Sequence, residues 1–136
     1  MLTYRDGTEK DLKGLSRLVE DYCIDNDINY VKEDIDNYVL MNLKNFKVIV
    51  AEKDELILGA ISYTVLNNPY NVKELFGRKM GIFVNKDERG TGIGSTLIHL
   101  AEENCKHDYN VTKFFLSSPK TVKGYKQNEI DQVKEL

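Results

Sequence analysis

Residues 84–95 read Val84-Asn85-Lys86-Asp87-Glu88-Arg89-Gly90-Thr91-Gly92-Ile93-Gly94-Ser95, and this stretch decides how the rest of the chain is read. Upstream, Lys79-Met80-Gly81-Ile82-Phe83-Val84 has the apolar, β-branched character of a strand. Downstream, Ile93, Leu97, Leu100, Ala101 and Cys105 recur at helical spacing and form an apolar face. A strand therefore enters the loop and a helix leaves it. Glycines at alternate positions, Gly90, Gly92 and Gly94, keep side chains out of the connection, so backbone N–H groups and the positive helix end converge on one point. That is an anion seat, suited to phosphate. A turn that merely capped the helix would need one such glycine rather than three.

Two common phosphate loops do not fit. A Walker loop closes on Gly-Lys-Ser/Thr, and no lysine follows Gly94. A dinucleotide fingerprint needs G-x-G-x-x-G with an acid about 20 residues on. Here the spacing is G-x-G-x-G, and the next strand runs into Ser117-Ser118.

Working outward, Leu2–Arg5 is a short strand candidate, and Thr8 with Asp11 has the spacing of a capping box that opens a helix. Leu12, Leu15, Leu18, Val19 and Tyr22 give that helix one buried stripe, running to about Ile24. An acidic turn region, Asp25 to Asn29, precedes a second helical face of Val31, Ile35, Val39 and Leu43. Lys47–Glu52 and Leu56–Leu66 read as an antiparallel hairpin about Lys53-Asp54-Glu55, and Asn67–Asn71 breaks the pattern. Val111–Leu116 is a further strand, and Pro119 suits the first turn of a polar helix reaching the end of the chain. The order is βααβββαβα: an α+β (mixed α/β) class, with a central, mostly antiparallel sheet flanked by helices.

At 136 residues the chain has room for one domain, 1–136, with one core. Hydrophobic residues at 41% and charged residues at 30% describe a folded globular protein rather than a disordered one. No stretch approaches the roughly 20 apolar residues of a membrane helix, and MLTYRDGTEK lacks the apolar centre of a secretory signal, so a cytoplasmic location without a membrane partner is expected. Residues 1–55 hold 13 Asp/Glu against 8 Lys/Arg, and residues 56–136 hold 9 against 11. The front is acidic and the back mildly basic. A cation-rich arm of the kind that matches a phosphate backbone is absent, which argues against nucleic acid as a partner. Cys23 and Cys105 sit alone in helical segments without a CxxC pair or histidine spacing, which predicts buried thiols and no metal site.

The segment Gly81 to Ile98, GIFVNKDERGTGIGSTLI, with Arg89-x-x-Gly92-x-Gly94 between a strand and an amphipathic helix, resembles the acetyl-CoA-binding signature of the GNAT superfamily of N-acetyltransferases. The element order is similar along nearly the whole chain. The resemblance implies an acetyl-CoA cosubstrate whose pyrophosphate is held by the amides of Arg89, Gly90, Thr91, Gly92, Ile93, Gly94 and Ser95. It also implies that the strand backbone at Ile82, Phe83 and Val84 pairs with the pantetheine arm, and that Phe83 or Val84 offers an N–H to the thioester oxygen. The family's later motif, Asn-x-x-Ala-x-x-Phe-Tyr-x-x-x-Gly-Phe, aligns on Tyr125, the residue that would protonate the departing thiolate. Ser118 then falls at the Asn position and is counted with the cofactor-binding residues. Thr121, Gly124, Glu129 and Ile130 depart from the motif, and only six residues follow Ile130, so the family's two closing strands are expected to be missing. A sheet ending near Val111–Leu116 would expose an edge, which predicts a homodimer or a protein partner unless residues 119–136 fold back over it.

The implied reaction is transfer of an acetyl group from acetyl-CoA directly to a primary amine of a small molecule, peptide or protein. Such transfer needs a neutral amine, a donor for the developing oxyanion and an acid for the thiolate. The central strand carries no carboxylate, which leaves Glu74, Glu52 or a water chain as base. His99 and His107 read as surface and helix-end residues. Asp25, Asp27, Glu33, Asp34 and Asp36 lie where family members shape the acceptor site, and carboxylates there would attract a cationic amine. Tyr22, Tyr30, Tyr38 and Tyr63 are candidates to line the acceptor groove, although tyrosines at helical spacing more often close a core. The alternative is a non-catalytic GNAT-like module that binds CoA or another protein.

Overall fold

The computed structural model describes residues 1–116, 126–127 and 132–136. In chain order the elements are β1 (Thr3–Asp6), a 3-10 turn (Glu9–Asp11), α1 (Leu12–Asp25), α2 (Lys32–Asn45), β2 (Lys47–Lys53) and β3 (Leu56–Asn68). There follow β4 (Asn71–Val84), a second 3-10 turn (Lys86–Glu88), α3 (Ile93–Tyr109), β5 (Lys113–Leu116), β6 (Lys126–Gln127) and β7 (Gln132–Glu135). The strands form one sheet in the order β1-β2-β3-β4-β5-β7-β6, parallel at β4–β5 and antiparallel at the other pairs. The class is the expected mixed α+β one.

The sheet is covered on both faces, which explains the unbroken apolar run in β2. Val48 and Val50 pack with Leu15, Leu18, Val19, Ile35 and Val39 of α1 and α2. The alternate residues Ile49 and Ala51 pack with Ile93, Leu97, Ala101 and Cys105 of α3. Successive side chains of a strand point to opposite faces, so a strand buried on both has no polar alternation. The capping box at Thr8 forms: its N–H donates to Asp11 Oδ2 at 2.8 Å. It opens the 3-10 turn, however, and the α-helix proper begins at Leu12. Cys23 and Cys105 are buried free thiols, and burial pushes the Cys105 thiol up to about 12. Among the described residues no helix is long and apolar enough to cross a membrane.

Two elements differ from the sequence-based expectation. β4 starts at Asn71 rather than Lys79, straight after a tight Pro69-Tyr70 turn in which Tyr70 N–H donates to Asn68 Oδ1 at 2.9 Å. Its first half carries Lys73 and Glu74 and shows no clean alternation, so only the ladder with β3 marks it as strand, and the central strand does carry a carboxylate, contrary to expectation. The second correction concerns the end of the chain. Residues 132–135 are strand, not helix, so the closing strands expected to be missing are present as β6 and β7. β7 pairs antiparallel with β5 from Lys113–Glu135 to Leu116–Gln132, and Leu136 N–H donates to the Thr112 carbonyl at 2.7 Å. Lys134 Nζ reaches the buried Glu102 carboxylate of α3 at 3.0 Å, anchoring β7 across the sheet. A helix there would leave the β5 donors and acceptors unpaired. Residues 117–125 and 128–131, which include Ser118, Pro119 and Tyr125, lie outside the described residues.

Candidate active site

The loop between β4 and α3 is shaped by two glycines in the left-handed region, Gly90 at φ 84° and Gly92 at φ 92°. Side chains seldom adopt that conformation, and a Cβ added at either position would project into open space. The backbone is therefore presented bare to one side. Gly92 is the N-cap of α3 and supplies no side-chain cap, so the first amides of the helix, at Ile93, Gly94 and Ser95, lack an intrahelical acceptor. Beside them lies a cleft of ≈ 390 Å³ lined by Val84, Glu88, Arg89, Gly92, Gly94 and Ser95 among others. Two of the seven amides in this stretch are committed within the loop: Arg89 N–H donates to the Lys86 carbonyl at 3.4 Å and Thr91 N–H to the Glu88 carbonyl at 3.3 Å. The uncapped first amides of α3 and its positive end stand beside this cleft and make an anion-binding concavity.

The second feature is the strand that feeds this loop. β4 pairs with β5 only from Phe76–Lys113 to Arg78–Phe115. From Lys79 to Val84 it pairs with β3 alone among the described residues. A bulge interrupts the ladder with β3: Ser62 faces Gly81 and Tyr63 faces Lys79, so Met80 has no partner on β3. Bulges bend a strand and raise its twist, and this one follows directly on the last described β4–β5 pair, Arg78–Phe115. The half-buried Ile82, Phe83 and Val84 stand on this stretch. Ile82 and Val84 pack toward the α3 core, and Phe83 toward α1 and α2.

On the α1/α2 face, Phe83 meets Tyr22 edge-on at 5.2 Å between centroids and Tyr38 at 6.5 Å. Burial pushes the Tyr38 phenol up. Sequence reading missed the tie between this face and the loop: Asp25 at the end of α1 lies 3.5 Å from the Arg89 guanidinium and 3.9 Å from Lys86 Nζ. Sixty-four positions separate Asp25 from Arg89, and no local pattern announces the pair. The carboxylates considered as bases are engaged elsewhere. Glu52 binds Arg5 beside β1, and Glu74 accepts from Asn68 Nδ2 at 2.9 Å in the β3–β4 hairpin. His99 is exposed, and His107 pairs with Glu103 at the end of α3. Tyr63 is on the opposite face, where its hydroxyl accepts from Asn104 Nδ2 at 3.1 Å. Among the described residues no cluster of His, Cys, Asp or Glu has metal-binding geometry.

A glycine loop at a helix start and a strand edge that no described strand occupies lie in a chain that matches a known family: the model of the acetyltransferase (GNAT) family covers residues 15–127. The chain belongs to the GNAT family. No curated protein matches the sequence significantly. Solved structures share the GNAT fold at low identity. A GNAT family acetyltransferase from Brucella melitensis, solved in complex with acetyl-CoA, superposes with TM-score 0.77 at 17% identity, over 99% of this chain and 88% of that one. A predicted acetyltransferase from Clostridium acetobutylicum, solved with acetyl-CoA, gives 0.76 at 20% identity, over 95% and 92%. The ribosomal-protein-alanine N-acetyltransferase of Brucella melitensis biovar Abortus gives 0.71 at 20% identity, over 89% and 82%.

Proposed function

We propose that this GNAT chain, acting as one domain, is an acetyl-CoA-dependent N-acetyltransferase that moves the acetyl group directly to a primary amine. The observation that carries the reading is the juxtaposition of the bare amides at Ile93, Gly94 and Ser95 with the strand edge at Lys79–Val84 that no described strand occupies. Acetyl-CoA contributes the acetyl thioester. The loop amides and the α3 dipole fit its pyrophosphate, because Gly90 and Gly92 leave the approach clear. The outward groups of Ile82 and Val84 offer strand-type hydrogen bonds to the amides of the pantetheine arm, whereas the Phe83 N–H is directed at Ala60 of β3, in phase with the Asn85 N–H on the Leu58 carbonyl. The backbone N–H of Val84 is assigned to stabilise the negative charge that develops on the thioester oxygen. The ammonium of the acceptor gives one proton to water before its nitrogen attacks. The C–N bond forms, the C–S bond breaks, the nitrogen loses a second proton and the thiolate gains one, leaving an amide, CoA and one proton released overall. Tyr125 is assigned as the donor to the thiolate, and Ser118 is assigned to the cofactor site.

Calorimetry with acetyl-CoA tests the site through Gly94→Val. A Cβ at Gly94 would lie 3.6 Å from Val84 Cγ2, an ordinary contact, so the variant is expected to fold. Its larger side chain enters the cleft, and affinity should fall by about tenfold or more. Unchanged affinity in a folded variant overturns the assignment. A thiol-release assay across a panel of amines tests the transfer, and acetyl-CoA binding without release on any of them favours the non-catalytic module.

A further inference from the structure

We propose that the solvent-facing side of α1 docks antiparallel on the same side of a second copy of this chain. The buried residues Leu15, Leu18, Val19 and Cys23 fix which way the helix faces. With about 3.6 residues per turn, the opposite side carries Lys13, Arg17, Glu20, Asp21 and Ile24 in one stripe, which Lys10 of the preceding 3-10 turn extends. The stripe is divided by charge. Its first half is cationic and its second half anionic, and Ile24 near the end is 60% exposed.

That order is the reverse of what an isolated helix prefers. Anions are favoured near the N-terminus, where the macrodipole is positive, and cations near the C-terminus. α1 has no acidic residue in its first turn and no basic residue in its last. Nor are the charges matched within the protein. Lys10, Lys13, Arg17 and Asp21 make no side-chain hydrogen bond or ion pair with any described residue. Glu20 feels Lys32 through space, but Lys32 is already bound to Asp36 at 2.8 Å. A face that served only to keep the helix wet would not need its charges sorted by sign, least of all against the dipole.

An antiparallel copy resolves both features. It sets the cationic half of each helix, at the positive end, against the anionic half and negative end of the other. With the two-fold axis at the level between Leu18 and Val19, Arg17 faces the second copy's Glu20 and Lys13 faces the second copy's Ile24, each contact occurring twice by symmetry. Ile24 then covers the aliphatic stem of Lys13 beside a groove of ≈ 440 Å³ whose walls include Gly14, Leu56 and Ile57, with Leu56 49% exposed. A partner of one charge sign would match only half of the stripe, whereas a second copy matches all of it. One helix of 14 residues makes a small interface. The buried area therefore falls below the roughly 1,200 Å² of a standard interface, and the dimer is weak and governed by charge.

Sedimentation velocity on the full chain tests this between about 10 μM and 1 mM. A monomer–dimer equilibrium is expected at about 50 mM salt, with the dissociation constant rising about tenfold or more at about 500 mM. Arg17→Glu and Glu20→Arg, both outside the core, each set like charges across the axis and should raise the constant about tenfold or more without changing the circular dichroism. An equimolar mixture of the two variants restores opposite charges at both contacts and should associate about as tightly as the parent. The salt series needs no variant, so a substitution that disturbed folding would not remove the test. A chain that stays monomeric up to about 1 mM, a dimer indifferent to salt or to both substitutions, or a mixture no tighter than its components overturns the proposal.

Discussion

Asp11 joins parts of the chain that are distant in sequence. Its two oxygens accept from the Arg5 guanidinium at 2.9 and 2.8 Å, and Oδ2 also accepts the Thr8 amide. Arg5 in turn binds Glu52 at 3.2 and 3.0 Å, so β1, β2 and the first 3-10 turn are clamped at one point. Hydrogen bonding from Arg5 holds the Asp11 carboxyl below its ordinary value. The folded state thus binds that proton more weakly than the unfolded state does. The stabilisation is complete above the ordinary carboxylate range near about 4 and is lost as pH falls through the depressed folded value. Asp11→Asn should cost about 1–3 kcal/mol near neutral pH, and urea unfolding at a series of pH values should show the deficit shrinking below about pH 4. A deficit independent of pH would mean that shape rather than charge is at work. Tyr125 belongs at the same scale. Tyr125→Phe keeps the ring and removes the proton, so turnover should fall on the order of 10²-fold with CoA affinity preserved. A rate within about twofold of the parent rejects the role and leaves water as the donor.

β4 is the element on which the candidate site depends, because it packs tightly against β5 at one end and at the other has an edge that no described strand occupies. Gly77 makes the tight end possible: a Cβ there would lie 2.6 Å from Phe114 Cδ2 and 2.9 Å from Cys105 Sγ. Phe114 and Cys105 are fully buried in the α3-side core and have nowhere to move. Gly77→Ala should therefore destabilise by about 1–3 kcal/mol in thermal or denaturant unfolding. It should also speed alkylation of Cys105, whose thiol is protected by burial. Equal stability would show that the β4–β5 contact is soft. At the other end, the glycine-bearing Lys79–Val84 segment was readable as strand, and Gly90, Gly92 and Gly94 were readable as a bare loop, since both signals are local. The bulge at Met80 and the register of β4 against β5 were not. They depend on residues of β3 and β5 that are not adjacent in sequence.

At the scale of the molecule, the arrangement is a sheet between α1/α2 on one face and α3 on the other, with the glycine loop at the start of α3. The expected bare edge at β5, and the partner invoked to cover it, lose their basis because β7 lies against β5. What the sequence by itself determined was whatever depends on near neighbours. The spacing of three and four in α1, α2 and α3, the apolar runs of β2 and β3 and the glycine loop each encode their own local conformation, because periodicity and backbone freedom act within a few residues. The tertiary structure alone decided the rest. It made Gln132–Glu135 a strand, because an unpaired β5 edge and the buried Glu102 carboxylate outweigh the weak preference of a polar segment. It carried Asp25 to Arg89 and Tyr38 to Gly81. Ion pairs, ring contacts and cavities form between surfaces that meet only after the chain has folded, and such meetings leave no periodic trace along it.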